Sequence, residues 1–106
     1  MILVIGHVTA RGDTIDELLR ISIEHVLRSR AEPGCISHEV CRDAQNPLRL
    51  TFVERWADMA ALQLHFGVAA SRAFGKALAQ GADGAPDMQL YESQEIDLLA
   101  MLARKA

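Results

Sequence analysis

The chain has 106 residues, of which half are hydrophobic, 24% are charged and only 5% are aromatic. This size predicts a single domain over residues 1–106 with a mostly aliphatic core. The net charge of −3 disfavours nucleic-acid binding, because contacts with a phosphate backbone need a basic surface.

The N-terminal run from Ile2 to Thr9 is hydrophobic and rich in β-branched residues, which is typical of a central strand. It is too short to span a bilayer and lacks the basic segment and cleavage site of a signal peptide. We therefore expect a cytoplasmic protein that does not associate with membranes. Cys35 and Cys41 would lie roughly 20 Å apart on one extended strand, which is too far for a disulfide, so both thiols are expected to be reduced.

The next element is predicted to be an amphipathic helix that starts after Asp13, its expected N-cap, and ends before Pro33. Apolar and small residues recur along it with the helical period, and this stripe is expected to face the core. The stripe consists of Ile15, Leu18, Leu19, Ser22, Ile23, Val26 and Leu27.

Two alternating runs, Cys35 to Arg42 and Leu48 to Ala57, predict a pair of strands joined by a polar turn. In the second of these strands, Phe52, Glu54 and Trp56 are expected to share one face because successive side chains alternate. A carboxylate on a buried face needs a partner, so a structural role is favoured for Glu54.

A second helical region begins at Asp58, which is expected to cap it, and is interrupted at Gly67. Its first part presents His65 on the same face as Leu62. Its second part has helical spacing among Val68, Ser71, Phe74 and Leu78.

After a loop from Gly81 to Pro86, a fourth strand is predicted around Met88 and Leu90, followed by a weakly helical tail from Ile96 to Ala106. The order β-α-β-β-α-β predicts a ferredoxin-like α+β fold, with a four-stranded antiparallel sheet and helices on one face. Both faces of the first strand are apolar, so we expect a homodimer in which two sheets pack together.

Several short segments, in this order, resemble the antibiotic biosynthesis monooxygenase family. They are Glu32-Pro33-Gly34-Cys35, Asp43 with Asn46-Pro47, Glu54-Arg55-Trp56, and Asp58-x-x-Ala61-Leu62-x-x-His65. The resemblance covers nearly the whole chain and implies a homodimeric α+β barrel with a small-molecule pocket in each protomer.

The resemblance also implies a cofactor-independent monooxygenase that oxidises a small electron-rich aromatic, such as a quinol or polyketide, with molecular oxygen. The alternative is a small-molecule binding protein or isomerase of the same fold without oxygen chemistry. The resemblance implies that no cofactor is needed, and no metal is expected because the sequence has no Cys/His quartet with zinc spacing. The haem-degrading branch is disfavoured because Gly75 stands where its members carry the haem-ligating His.

The candidate catalytic residues are His65, matched to the helix His of the family, and His38, on the second strand. An imidazole suits general-base chemistry because its usual pKa is near neutrality. For each of these two residues, a hydrogen-bonded core role is the alternative. The residues expected to bind substrate are His7, Trp56, Phe66 and Phe74, with core packing as the alternative for the three aromatic residues and a dimer contact for His7.

Overall fold

The computed structural model describes residues 1–104 as four strands and four helices. In chain order these are β1 (Ile2–Thr9), α1 (Ile15–Ser29), β2 (Cys35–Arg42), β3 (Arg49–Trp56), α2 (Met59–Gly67), α3 (Ala69–Gly81), β4 (Asp87–Glu92) and α4 (Leu98–Ala103). The last two residues of the predicted helical tail lie outside the described residues. None of the helices within residues 1–104 is both long and apolar enough to cross a membrane.

The four strands form one antiparallel sheet in the order β2-β3-β1-β4. This is the predicted ferredoxin-like α+β fold, which is therefore confirmed. The register pairs Ile2 with Trp56 and places His38 opposite Glu54. A shift in the β2–β3 register between Cys35 and Ser37 interrupts the alternation of β2, which is why Ile36 is exposed although His38 is buried.

The core lies between the sheet and the helices, and the sheet contributes to it mainly through buried side chains of β1 and β3. Alternate residues of β3 are buried, as predicted from its sequence: Leu50, Phe52, Glu54 and Trp56. The opposite face of the sheet is only partly buried within one chain, with Leu3 and Ile5 among its apolar residues.

The buried stripe of α1 differs from the predicted one. Ile23 and Leu27 were expected in the core but are 46% and 58% exposed. Ile15, Leu18, Ser22 and Val26 of the predicted stripe are buried, but helix α1 is rotated so that His25 and Ser29 are buried in place of Ile23 and Leu27. The physical reason is that hydrophobic spacing left two neighbouring faces available, and packing against the sheet and α3 selected the one that carries His25.

Helix α2 begins where the sequence predicted, because the Asp58 carboxylate accepts a hydrogen bond from the Ala61 amide at 2.9 Å. Helix α1, in contrast, has Thr14 rather than Asp13 at its N-cap position. Gly34, which precedes β2, has a φ of +81° and lies directly against α2, so the turn before β2 and α2 are in close contact.

Candidate functional site

A cavity of about 320 Å³ is lined by residues from the sheet and from α1, α2 and α3. This volume is at the lower end of the range for small-molecule sites. Three aromatic side chains, Phe52, Phe66 and Phe74, form much of its wall. Its polar wall residues include His25, Glu54, His65 and Ser71. The remaining lining residues are Gly6, His7, Gly75, Leu78, Pro86, Asp87 and Met88.

Three buried histidines meet beside this cavity, although they come from three different elements. His25 is on α1, His38 on β2 and His65 on α2, and one ring nitrogen of each lies within 4.8 Å of the others. Their ring centroids are 5.2 to 5.6 Å apart. We call these three residues the histidine cluster.

His65 is paired with a carboxylate from the turn before β2. Its Nδ1 lies 2.8 Å from Glu32 Oε1, and the imidazole is only 3% exposed. A carboxylate that accepts the Nδ1 proton favours the tautomer in which Nε2 carries the free lone pair. The contact of Gly34 with Ala61 of α2 holds this turn against the helix that carries His65.

Glu54 lies between the histidine cluster and the indole of Trp56. The indole Nε1–H donates to Glu54 Oε1 at 2.9 Å, and His38 Nε2 lies 3.2 Å from the same oxygen. Burial by itself would raise the pKa of Glu54, but the contacts with His38 and Trp56 outweigh this effect and hold the pKa below its ordinary value. Glu54 is therefore a buried carboxylate that is ionised at neutral pH.

The approach of His38 to Glu54 is short enough for an ion pair but lacks hydrogen-bond geometry. Among residues 1–104, neither ring nitrogen of His38 has a hydrogen-bond partner, although the side chain is fully buried. Buried polar atoms without partners are uncommon in proteins and require an explanation.

His25 stacks on Phe74, with ring centroids 4.0 Å apart and an angle of 7° between the planes. Arg28 Nη2 lies 2.8 Å from His25 Nδ1, and because arginine only donates, Nδ1 is the acceptor. Burial lowers the pKa of His25 to about 3, and the electrostatic influence of His38, His65 and Arg28 acts in the same direction. His25 is therefore neutral at physiological pH.

The structure brings together most of the residues that the sequence predicted for the site. His65, Phe66 and Phe74 line the cavity. His7 borders it too, although its Nδ1 lies 3.1 Å from Asp87 Oδ1 and it alternates with the core-facing residues of β1.

Two predicted residues lie outside the cavity wall formed by the described part of the chain. Trp56 is fully buried and contacts His65, with ring centroids 4.6 Å apart. His38 is also fully buried, at 5.6 Å from the His65 ring. Both residues contact His65 and Glu54, which do line the cavity, so they can influence a ligand through those two side chains.

Sequence reasoning missed His25 and Ser71, and it treated Glu32 only as part of a turn. The available signal for His25 was its helical spacing with Ser22, which was already in the predicted stripe, and with Ser29. Ser71 Oγ is buried and has no hydrogen-bond partner within residues 1–104. It therefore offers a free donor and acceptor at the cavity wall.

The antiparallel sheet with helices on one face defines a ferredoxin-like α+β protein with an internal cavity. The chain belongs to the antibiotic biosynthesis monooxygenase family, to which residues 1–77 match. A stretch of 65 residues is 35% identical to sll1783, an uncharacterised protein of Synechocystis. This match covers 61% of the chain but 44% of that relative, so the chain spans less than half the length of sll1783.

Solved structures share the same fold. An antibiotic biosynthesis monooxygenase superimposes with a TM-score of 0.83 at 24% identity, over 90% of this chain and all of the other. A Deinococcus radiodurans protein superimposes with a TM-score of 0.86 at 20% identity, over 92% of this chain and 96% of the other. At these identities the likeness concerns the fold.

Proposed function

We propose that this protein is a cofactor-independent monooxygenase that oxidises a small electron-rich aromatic, of the quinol or polyketide type, with molecular oxygen. The observation that carries the proposal is the His65–Glu32 pair in the wall of a cavity lined by three phenylalanines. Membership of the antibiotic biosynthesis monooxygenase family supports it.

His65 is the base in this proposal. The Glu32 carboxylate accepts a hydrogen bond from the proton on His65 Nδ1. Nε2 is therefore the nitrogen that takes a phenolic or enolic proton from the substrate. Glu32 then stabilises the imidazolium that forms, as a carboxylate does behind a catalytic histidine in other enzymes. Phe66 and Phe74 flank the aromatic ring, and Ser71 Oγ is available for a substrate oxygen.

The substrate itself supplies the electrons. For a ring CH₂ group activated by a neighbouring enol, loss of one proton gives a carbanion-like anion that reacts with O₂. One oxygen atom becomes the carbonyl oxygen of the product and the other leaves as water, while the CH₂ carbon gives up four electrons. The overall change is CH₂ + O₂ → C=O + H₂O, which balances without a cofactor.

His38 is assigned a positioning role, because it lies outside the cavity wall. Its ring contacts His65 and approaches Glu54, so it restrains both side chains from the β2 side. Replacing His38 with Gln should therefore lower kcat less than replacing His65.

Oxygen uptake with a panel of quinols and anthrones tests the proposal. We expect His65→Gln to reduce kcat/KM by about 10²- to 10⁴-fold, the usual contribution of a general base. Glu32→Gln should reduce it at least about tenfold, because an amide does not stabilise the imidazolium. Glu24→Gln is the matched control, because it makes the same change at an exposed carboxylate of α1, and it should retain wild-type activity.

Full activity of His65→Gln on every accepted substrate would overturn the assignment of the base. Saturable binding of these compounds without oxygen uptake by the wild-type protein would favour the alternative function, a ligand-binding protein or isomerase of the same fold.

We also propose that the protein is a cytoplasmic homodimer. The sheet face opposite the helices carries Leu3 and Ile5, which are only half-buried within one chain, and a second sheet would cover them. Sedimentation equilibrium should give twice the chain mass, and a charge introduced by Ile5→Glu should shift the protein toward the monomer. A monomeric wild-type protein at micromolar concentration would contradict this part of the proposal.

A further inference from the structure

We propose that His25, His38 and His65 form a buried binding site for one divalent first-row transition metal ion, with Zn²⁺ as the reference ion. One nitrogen of each ring lies within 4.8 Å of the other two, so small side-chain movements bring all three to a common ion. Imidazole nitrogens are preferred ligands of zinc, copper, iron and nickel. The inference goes beyond the proposed function, since metal binding does not depend on oxygen chemistry.

The unpartnered ring of His38 is the first argument for an ion. A histidine that serves only the core is expected to have its nitrogens hydrogen-bonded, yet within residues 1–104 both nitrogens of His38 lack such a bond. The ring is 0% exposed, so bulk solvent does not supply the partners. A metal ion between the three rings would satisfy one of these nitrogens directly.

Two carboxylates form the surroundings that metal-bound histidines usually have. Metal ligands commonly donate their second ring N–H to a carboxylate, which orients the ring and increases its basicity. Glu32 stands 2.8 Å from His65 Nδ1 in this way, whereas Glu54 approaches His38 Nε2 to 3.2 Å without hydrogen-bond geometry. These contacts leave Nε2 of His65 and Nδ1 of His38 for the ion.

Charge also favours a cation. The two carboxylates lie within or beside the cluster, and Glu54 is additionally fixed by the Trp56 indole. A divalent cation would compensate the buried negative charge of Glu54, which lies beside the cluster. Because His25, His65 and Glu54 line the cavity, an ion held there would keep a coordination position open toward it.

His25 distinguishes the metal-free arrangement from the metal-bound one. In the structure Arg28 donates to His25 Nδ1, and Ser29 Oγ lies 3.5 Å from Nε2. Coordination requires His25 to give up one of these contacts, so Arg28 competes with the metal both as a donor and as a positive charge. Arg28→Met should therefore bind metal more tightly than the wild type, an effect that a purely structural cluster would not produce.

Calorimetric titration of the chelator-treated full chain with ZnCl₂ tests the site. We expect one equivalent to bind with a Kd of about 1 µM or below, and His25→Gln and His38→Gln to weaken binding at least about 100-fold. His7→Gln removes the one histidine outside the cluster and should bind as the wild type does. Circular dichroism of each variant establishes that it is folded.

A second measurement needs no variant. In nuclear magnetic resonance spectra of the wild type, Zn²⁺ should shift the ring signals of three of the four histidines and leave those of His7 in place. Failure of Zn²⁺, Cu²⁺ and Co²⁺ to bind at millimolar concentration would overturn the proposal. Binding that is lost only in His7→Gln would overturn it as well, because it would place the ion at the His7–Asp87 pair.

The metal site and the proposed oxygen chemistry can fail separately. An ion on Nε2 of His65 occupies the lone pair that the base needs, so stoichiometric Zn²⁺ should inhibit oxygen uptake and a chelator should restore it. Metal binding without any oxygen uptake would reject only the monooxygenase proposal, whereas uptake without metal binding would reject only the metal site.

Discussion

Gly34 connects the stability of the fold to the geometry of the site, and its replacement by alanine is the most informative single substitution. Its φ of +81° is unfavourable for any residue with a side chain, at a cost of roughly 1–2 kcal/mol. An added Cβ would also lie 2.5 Å from the Cβ of Ala61, more than 1 Å closer than a normal carbon contact. Overpacking of this kind typically costs a further ~1–3 kcal/mol.

We therefore expect Gly34→Ala to lower the free energy of unfolding by about 2–5 kcal/mol. Gly84→Ala is a matched control, since Gly84 has a φ of +83° but no atom within 4 Å of a built Cβ. It should lose only about 1–2 kcal/mol. The difference between the two variants isolates the contact with α2.

Urea unfolding followed by the fluorescence of Trp56, the single tryptophan, gives both values. Because Glu32 lies on the same turn, movement of that turn away from α2 should also lengthen the Glu32–His65 contact. Oxygen uptake should then fall in Gly34→Ala and remain in Gly84→Ala. Equal destabilisation by the two substitutions would refute the reasoning, because it would mean that the turn does not press against α2.

Three further predictions concern titration, capping and a buried hydrogen bond. The pKa of His25 is lowered from 6.5 to about 3, so its contribution to stability is complete above the unfolded pKa and is lost as the pH falls toward the folded one. The metal-free protein should lose about 2 kcal/mol of unfolding free energy between about pH 7.5 and about pH 5 in urea titrations, and His25→Gln should show a smaller loss; an unchanged slope in that variant would contradict the assignment. Asp58→Ala should lower the melting temperature through a loss of about 1 kcal/mol, whereas Asp97→Ala, which removes the corresponding cap of the exposed α4, should leave it unchanged. Trp56→Phe removes the donor to the Glu54 carboxylate and should cost roughly 1–3 kcal/mol by circular dichroism, and a neutral result would show that Glu54 finds another partner.

The elements themselves were largely predictable because their signals are local. Alternation along Arg49–Trp56 correctly placed Phe52, Glu54 and Trp56 on the buried face. The Asp58 cap correctly marked the start of α2. Such patterns depend on the period of a strand or on a bond between residues three apart, so neighbouring residues are sufficient to determine them.

The site was only partly predictable because its contacts join distant parts of the chain. The sequence predicted His65 as a site residue but not its partner Glu32, which is 33 residues away, across the hairpin. His25 was missed because two adjacent faces of α1 had helical spacing, and the choice between them depends on packing rather than on the period. His38 was correctly expected to face the helices, yet the sequence did not reveal that it lies outside the cavity wall.

The sequence by itself determined the order of the elements, the buried face of β3 and the family, because each depends on periodicity, caps and short ordered motifs. The tertiary structure decided which residues meet. Three histidines from α1, β2 and α2 lie close together only when the strands are paired and the helices are packed on the sheet. Two carboxylates and a cavity lie beside them. That convergence is a non-local property, because it depends on the rotation of a helix and on strand register, and both are set by the packing of the whole domain.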